Sequence, residues 1–162
     1  MTTIAYRDGI MACDSCWSLN GSLVDTLSDK VYRLKSGALL GQCGSNDIRP
    51  MIKLLENAKS ERQMPSYNDI AAIRISGMYL LVLPNKRIFK FQTTSQAPET
   101  WTDDLVDLGM WRVERPFTAV GSGADYAIGA MEAGAGAVKA VRISCRLDIN
   151  SRLPIHTHKL HG

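Results

Sequence analysis

The 162-residue chain has no apolar run near the roughly 20 residues that cross a bilayer, and its first residues lack the basic start and apolar stretch of a secretory signal. Basic runs are missing as well. Nineteen Lys and Arg (19) against 16 Asp and Glu leave a formal charge of +3 spread along the chain, so a nucleic-acid interface has no electrostatic footprint. Cysteine is scarce: Cys13, Cys16, Cys43 and Cys145 are too few for a disulfide scaffold and fit a reducing compartment. Cys13-Asp14-Ser15-Cys16 matches C-x-x-C and with Cys43 could form a zinc or redox site. However, no second pair has matching spacing, and His156, His158 and His161 lie far along the chain. Packing of Cys13 against the core is the stronger reading, and no metal is assigned. Gly121-Ser122-Gly123 lacks the later glycine of a dinucleotide loop, because Tyr126 stands there. Repeats and low-complexity tracts are absent. What is left is a soluble, cytoplasmic protein with no membrane or nucleic-acid partner. Its length and 45% hydrophobic content suit a single domain over 1–162.

What is present is a series of hairpins. Thr2 to Tyr6 is rich in β-branched and aromatic residues, Asp8-Gly9 is a two-residue turn signal, and Ile10 to Cys13 resumes apolar. Polar, Gly-containing sequence without an assigned element follows. Lys30 to Leu34 then alternates, Lys35-Ser36-Gly37 turns, and Ala38 to Gly41 runs inward; Tyr79 to Leu83 and Arg87 to Gln92 flank a third turn at Pro84-Asn85-Lys86. Asn46 and Asp47 are N-cap residues for a helix over about 47–58, on which Ile48, Met51, Ile52, Leu54 and Leu55 recur at helical spacing. The segment 97–114 holds Trp101 and Trp111, which either line a groove or, as the favoured reading, pack a loop. Phe117 to Val120 reads as a strand ending at Gly121-Ser122-Gly123. Beyond it Ala127, Ala130, Met131 and Gly134 form a mostly small-residue stripe on a helix, suited to close packing on a sheet. Val138 to Arg146 reads as a further helix, Asp148 to Arg152 as a turn, and Leu153 to Lys159 as a last strand. Hairpins separated by helices predict an α+β domain, with two sheets face to face between two helical layers.

The chemistry begins at Thr2. A threonine at a free N-terminus carries its own base, since its α-amine titrates near 7.7–8.0 and can take the hydroxyl proton. While Met1 remains, that nitrogen is an amide without basicity. Taken alone, Thr2 and Thr3 read as β-formers that open an edge strand.

The wider constellation changes that weighting. TTIAYRDGIMACD, DKVYRL, LLGQCGSND, AVGSGADYAIGAMEAGA and RLDINS occur in this order over nearly the whole chain. Together they resemble the proteasome β-subunit and HslV family of threonine peptidases. The resemblance implies the four-layer αββα sandwich of the N-terminal nucleophile hydrolases, with Thr2 as nucleophile after Met1 removal. Lys30 would favour the deprotonated hydroxyl, and Asp14 would hold Lys30. Ser122, Asp148 and Ser151 would surround the Thr2 amine and position its proton. An oxyanion needs a fixed N–H, and the turn after Gly41 is where the family supplies one: Cys43 is the expected donor, with Gly41 leaving room at the base of the substrate pocket.

The resemblance further implies a homo-oligomeric ring that admits unfolded protein or peptide, fed by an AAA-type ATPase unfoldase. It requires no cofactor, and some bacterial relatives hold a monovalent cation on backbone carbonyls at the turn corresponding to Asp148–Ser151. One departure concerns the second helix, which is shortened. Lys59 to Ser76 contains Pro65, and only Tyr67 to Ile75 can be helical, which bears on ring contacts and unfoldase docking. Two alternatives use the same residues differently: a catalytically silent assembly or scaffold subunit that keeps Met1, and an amidase acting on a small molecule.

Overall fold

The computed structural model describes residues 2–19, 22–44, 47–95 and 109–160. The chain opens with β1 (Thr3–Arg7) and β2 (Ile10–Asp14), joined at Asp8 (φ 52) and Gly9 (φ 78). Positive φ at both central residues is the type I′ geometry that matches strand twist, and Asp-Gly is a pair that adopts it at low cost. β3 (Trp17–Leu19) and β4 (Ser22–Asp25) form a separate two-stranded ribbon, and β5 (Val31–Arg33) and β6 (Leu39–Cys43) the next hairpin. The helices α1 (Arg49–Leu55) and α2 (Tyr67–Ala71) precede β7 (Gly77–Val82), β8 (Ile88–Thr93), β9 (Gly109–Val113) and β10 (Phe117–Gly121). The chain then runs through α3 (Ala124–Glu132), α4 (Ala137–Leu147) and β11 (Ile155–Lys159).

Two antiparallel sheets result, one in the order β10-β1-β2-β11 and the other β5-β6-β7-β8-β9. Period-two alternation sorts their side chains into layers. Ile4, Tyr6, Met11, Cys13, Val31, Leu39, Leu80, Val82 and Val120 meet between the sheets. Ala5, Ala12 and Ala119 face the other way, against Ala127, Met131, Ala137, Ala140 and Val141 of α3 and α4. The small-residue stripe lets these helices lie close on the sheet. On the opposite side Leu40, Tyr79, Leu81 and Phe91 pack against Met51, Leu55 and Ile70 of α1 and α2. The αββα layering is therefore as the sequence predicts. Leu80, Leu81, Val82 and Leu83 are completely buried, and each such side chain contributes about 1.5–3 kcal/mol relative to exposure.

Four elements differ from expectation. The first helix covers only Arg49–Leu55, with Pro50 in its first turn and the Asp47 carboxylate accepting the Arg49 N–H at 3.1 Å. Asn46 lies outside the described residues. The second helix ends at Ala71, because Arg74 turns the chain at φ 54. Trp17–Leu19 and Ser22–Asp25, read from sequence as polar connection, are the β3–β4 ribbon; among the described residues its strands pair with each other alone and leave Trp17, Leu23 and Val24 exposed. The expected irregular segment also yields β9, an edge strand opposite β8 on which Trp111 is 41% exposed. Residues 96–108, Trp101 and His161 lie outside the described residues.

Candidate active site

Strand direction brings the predicted residues to one end of the sandwich. The start of β1, the end of β2 and the end of β10 lie side by side, with Thr3 opposite Gly121 and Ile155 opposite Asp14. In the second sheet, β5 begins and β6 ends at the same side, Val31 standing opposite Gly41. Thr2 is buried (5% exposed), and a Cβ at Gly121 would overlap its carbonyl while lying 3.2 Å from Cys43 Sγ. Gly121 is accordingly a requirement of close approach as well as of its φ of +98.

Asp14 is fully buried and its carboxylate is saturated. Oδ1 accepts the Thr3 N–H at 2.9 Å and the Lys30 ammonium at 2.7 Å; Oδ2 accepts the N–H groups of Cys16 at 2.9 Å and Arg152 at 3.2 Å. Lys30, itself 9% exposed, is thus fixed by one oxygen that also holds the backbone next to Thr2. This pairing is the one the sequence anticipates, and the three backbone donors, from Thr3, Cys16 and Arg152, are additional.

The second cluster centres on Asp148. Its Oδ2 accepts from the Ser122 hydroxyl and the Ser151 hydroxyl, each at 2.6 Å, while Oδ1 accepts from Asn150 N–H at 3.1 Å and Asn150 Nδ2 at 3.2 Å. Burial alone would raise this carboxyl, but the donors from Ser122, Ser151 and Asn150 outweigh it and hold Asp148 below the ordinary carboxylate range. Ser122 also faces the Thr2 carbonyl at 3.5 Å. Ser151 bonds the hydroxyl of Thr3 at 2.6 Å. In the sequence reading Thr3 is a strand former only; the structure makes it part of the site. The alternation of β1 carries the signal, for Thr2 shares the inter-sheet side of Ile4 and Tyr6, whereas Thr3 shares the helix side of Ala5. Ser144 is also missed: it is fully buried and donates to the carbonyl of Gly123 at 2.9 Å, which anchors the Gly-Ser-Gly turn to α4.

Two sequence expectations are corrected. Gly41 faces the inter-sheet core, where a Cβ would come within 2.9 Å of Ile4 Cγ2 and 3.2 Å of Met11 Sδ. Its missing side chain makes room for sheet packing and not for a pocket. Gln42 donates its N–H to the carbonyl of Lys30 at 3.0 Å, so alternation turns the Cys43 N–H toward its partner Met78 on β7. What Cys43 brings near Thr2 is its thiol. Burial pushes that thiol up to about 12, with the Lys30 charge opposing, so it is protonated at neutral pH. Cys13, whose thiol lies 3.6 Å from Asp29, is likewise pushed up to about 12 by burial. The turn at Asp148 to Ser151, where a monovalent cation on backbone carbonyls is expected, is held together by its own hydrogen bonds. The carboxylate is engaged by Ser122, Ser151 and Asn150, and the Asp148 carbonyl accepts the Ser151 N–H at 3.2 Å.

The four-layer αββα sandwich is the fold of the N-terminal nucleophile hydrolases, shared with solved structures of low sequence identity. Among solved structures, BPH from Thiobacillus denitrificans matches 99% of this chain and 98% of its own, with a TM-score of 0.63 and 18% identity. The same protein in complex with epoxomicin matches with a TM-score of 0.60 and 18% identity, covering 99% of both chains. HslV from Trypanosoma brucei matches 97% of both chains with a TM-score of 0.70 and 17% identity. A proteasome subunit beta from a Methanocaldococcus species is 26% identical over 149 residues, covering 88% of this chain and 66% of its own length. No family model matches the chain. Taken together, the chain is similar in sequence to a proteasome subunit beta, whose length it spans by about two thirds, and similar in fold to HslV and BPH.

Proposed function

We propose that the chain is a threonine-type endopeptidase of the proteasome/HslV kind that hydrolyses peptide bonds with Thr2 once Met1 has been removed. One observation carries this reading. Lys30 and Asp14 form a buried ion pair of 2.7 Å at the end of the sandwich where Thr2 leads into the first strand. A pair of this kind is a poor stabiliser, since apolar residues of similar volume often serve as well, so its presence beside Thr2 is better explained by chemistry. With Met1 gone, Thr2 Oγ attacks the substrate carbonyl carbon and its proton passes to the α-amine. The C–N bond of the tetrahedral intermediate then breaks, the leaving amine takes that proton, and an ester on Thr2 remains. The same amine deprotonates the water that hydrolyses the ester. Lys30 favours alkoxide character throughout by opposite charge.

Asp148 draws the hydroxyl protons of Ser122 and Ser151 to itself, which leaves their lone pairs for the Thr2 ammonium. Because the Cys43 N–H follows the ladder to β7, the next amide, that of Gly44 at φ +106, takes the role of oxyanion donor in this scheme. No cofactor is required and no step runs through a cation. The family likeness supports self-association into a ring that confines the sites and admits unfolded protein or peptide, with an AAA-type ATPase as feeder. A cytoplasmic location accords with it; no helix among the described residues is long and apolar enough to cross a membrane.

The deciding experiment is intact mass spectrometry of the native protein before and after exposure to a peptide epoxyketone. Loss of Met1 and a single adduct that is absent in Thr2→Ala is the expected result. Retained Met1 with no adduct overturns the peptidase and leaves the silent scaffold subunit; a monomer that cleaves only small amides turns the assignment to an amidase.

A further inference from the structure

Thr3 touches both halves of the site. Its N–H donates to Asp14 Oδ1, the oxygen that also holds the Lys30 ammonium, and its hydroxyl lies 2.6 Å from Ser151 Oγ. The side chain is fully buried, in a slot that exists because position 123 is glycine: a Cβ there would overlap Thr3 Oγ1 and come within 3.1 Å of Asp148 Oδ2. The direction of the hydroxyl bond follows from its neighbours. Ser151 has one hydroxyl proton, and the Asp148 carboxylate accepts it at 2.6 Å. The proton shared between Thr3 and Ser151 therefore belongs to Thr3, and the chain runs from Thr3 through Ser151 to Asp148, with Ser122 entering Asp148 from the other side.

We propose that Thr3 is a positioning residue that locks the Asp148–Ser151 turn to the Asp14–Lys30 pair, and so sets where the Ser151 lone pairs point relative to the Thr2 amine. This rests on the peptidase reading above. An isosteric valine keeps the strand, its N–H and its β-branched shape. It also puts a methyl group at hydrogen-bond distance from Ser151 Oγ, too close for carbon beside oxygen, so Ser151 must shift. The Thr2 ammonium then loses an accepting hydroxyl, its charged form is less favoured, and the amine pKa falls. Thr3→Ser keeps the hydroxyl.

The test compares Thr3→Val and Thr3→Ser with wild type in peptide hydrolysis, in the pH dependence of epoxyketone addition to Thr2, and in acetylation of the Thr2 α-amine as a function of pH. Thermal midpoints are recorded in parallel. For Thr3→Val we expect kcat to fall about tenfold or more, within the range for a displaced acid–base group, with KM little changed. The acid limb and the amine titration should both move to lower pH, and Thr3→Ser should restore both. A valine variant with a lower melting temperature but unmoved titration and undiminished kcat per folded molecule overturns the role of Thr3 and leaves the peptidase standing. A wild-type protein with Met1 retained and no Thr2 adduct overturns both.

Discussion

At the level of single residues the site is an arrangement of saturated carboxylates. Asp14 and Asp148 are buried; Asp14 collects donors from Thr3, Lys30 and Arg152, far apart in sequence, while Asp148 joins the distant Ser122 to its own neighbours Asn150 and Ser151. Removing the charge of Asp14 leaves the Lys30 ammonium buried beside a neutral group. Asp14→Asn is therefore expected to lower unfolding free energy by about 3–5 kcal/mol, as breaking one side of a buried pair does. Urea unfolding measures this, and adding Lys30→Met to the same chain should recover part of the loss. A single variant as stable as wild type would mean that Lys30 finds another anion. Asp14, Lys30 and Thr2 are legible in sequence through the ordered motifs TTIAYRDGIMACD and DKVYRL, whose family resemblance points to them. Thr3 is not, since a threonine in a strand reads the same whether its hydroxyl is idle or bonded to a serine 148 positions away.

Among the elements, the sheets and the large helices were more legible than the short helices. β1 to β2 announces itself by Asp8-Gly9, and α4 by alanines and Val141 at helical spacing beneath a charged outer face. α2 has only five residues and owes its form to a local device: Ser66 accepts the Asp69 N–H at 3.2 Å while Asp69 accepts the Ser66 N–H at 3.0 Å. That capping box holds the turn which sets Ile70 into the core. Ser66→Ala should cost about 1 kcal/mol, read from the urea midpoint, and amide hydrogen exchange in Tyr67–Ala71 should accelerate. An unchanged midpoint would show that core contacts of Ile70 alone hold this turn. The β3–β4 ribbon was invisible because it is self-paired and half-exposed, so neither face shows a buried alternation, although Trp17, Leu23 and Val24 favour strand.

For the whole molecule, the Asp148 cluster links stability to pH. Its folded pKa lies below the unfolded value, so the ionised carboxylate stabilises the fold above the unfolded pKa, and that contribution is lost as pH falls through the folded value. The stability gap between wild type and Asp148→Asn should stay constant from about pH 7 to 5 and narrow below about pH 4, near the ordinary aspartate pKa. Urea midpoints across that range are the measurement; a gap that is the same at low pH would show that packing, and not charge, supplies it. By itself the sequence determined the layered architecture, through hairpin signals and alternation, and its ordered motifs, by their family resemblance, singled out Thr2, Lys30, Asp14 and Asp148 as candidate site residues. Only the tertiary structure decided which side of each strand faces which cluster. It turned the Cys43 amide into the ladder, filled the space beside Gly41 with Ile4 and Met11, and joined Thr3 to Ser151. The physical reason is that hydrogen-bond direction and close approach are settled by the pairing of strands and by the turns at Gly121 and Gly123, which bring residues more than a hundred positions apart within bonding distance.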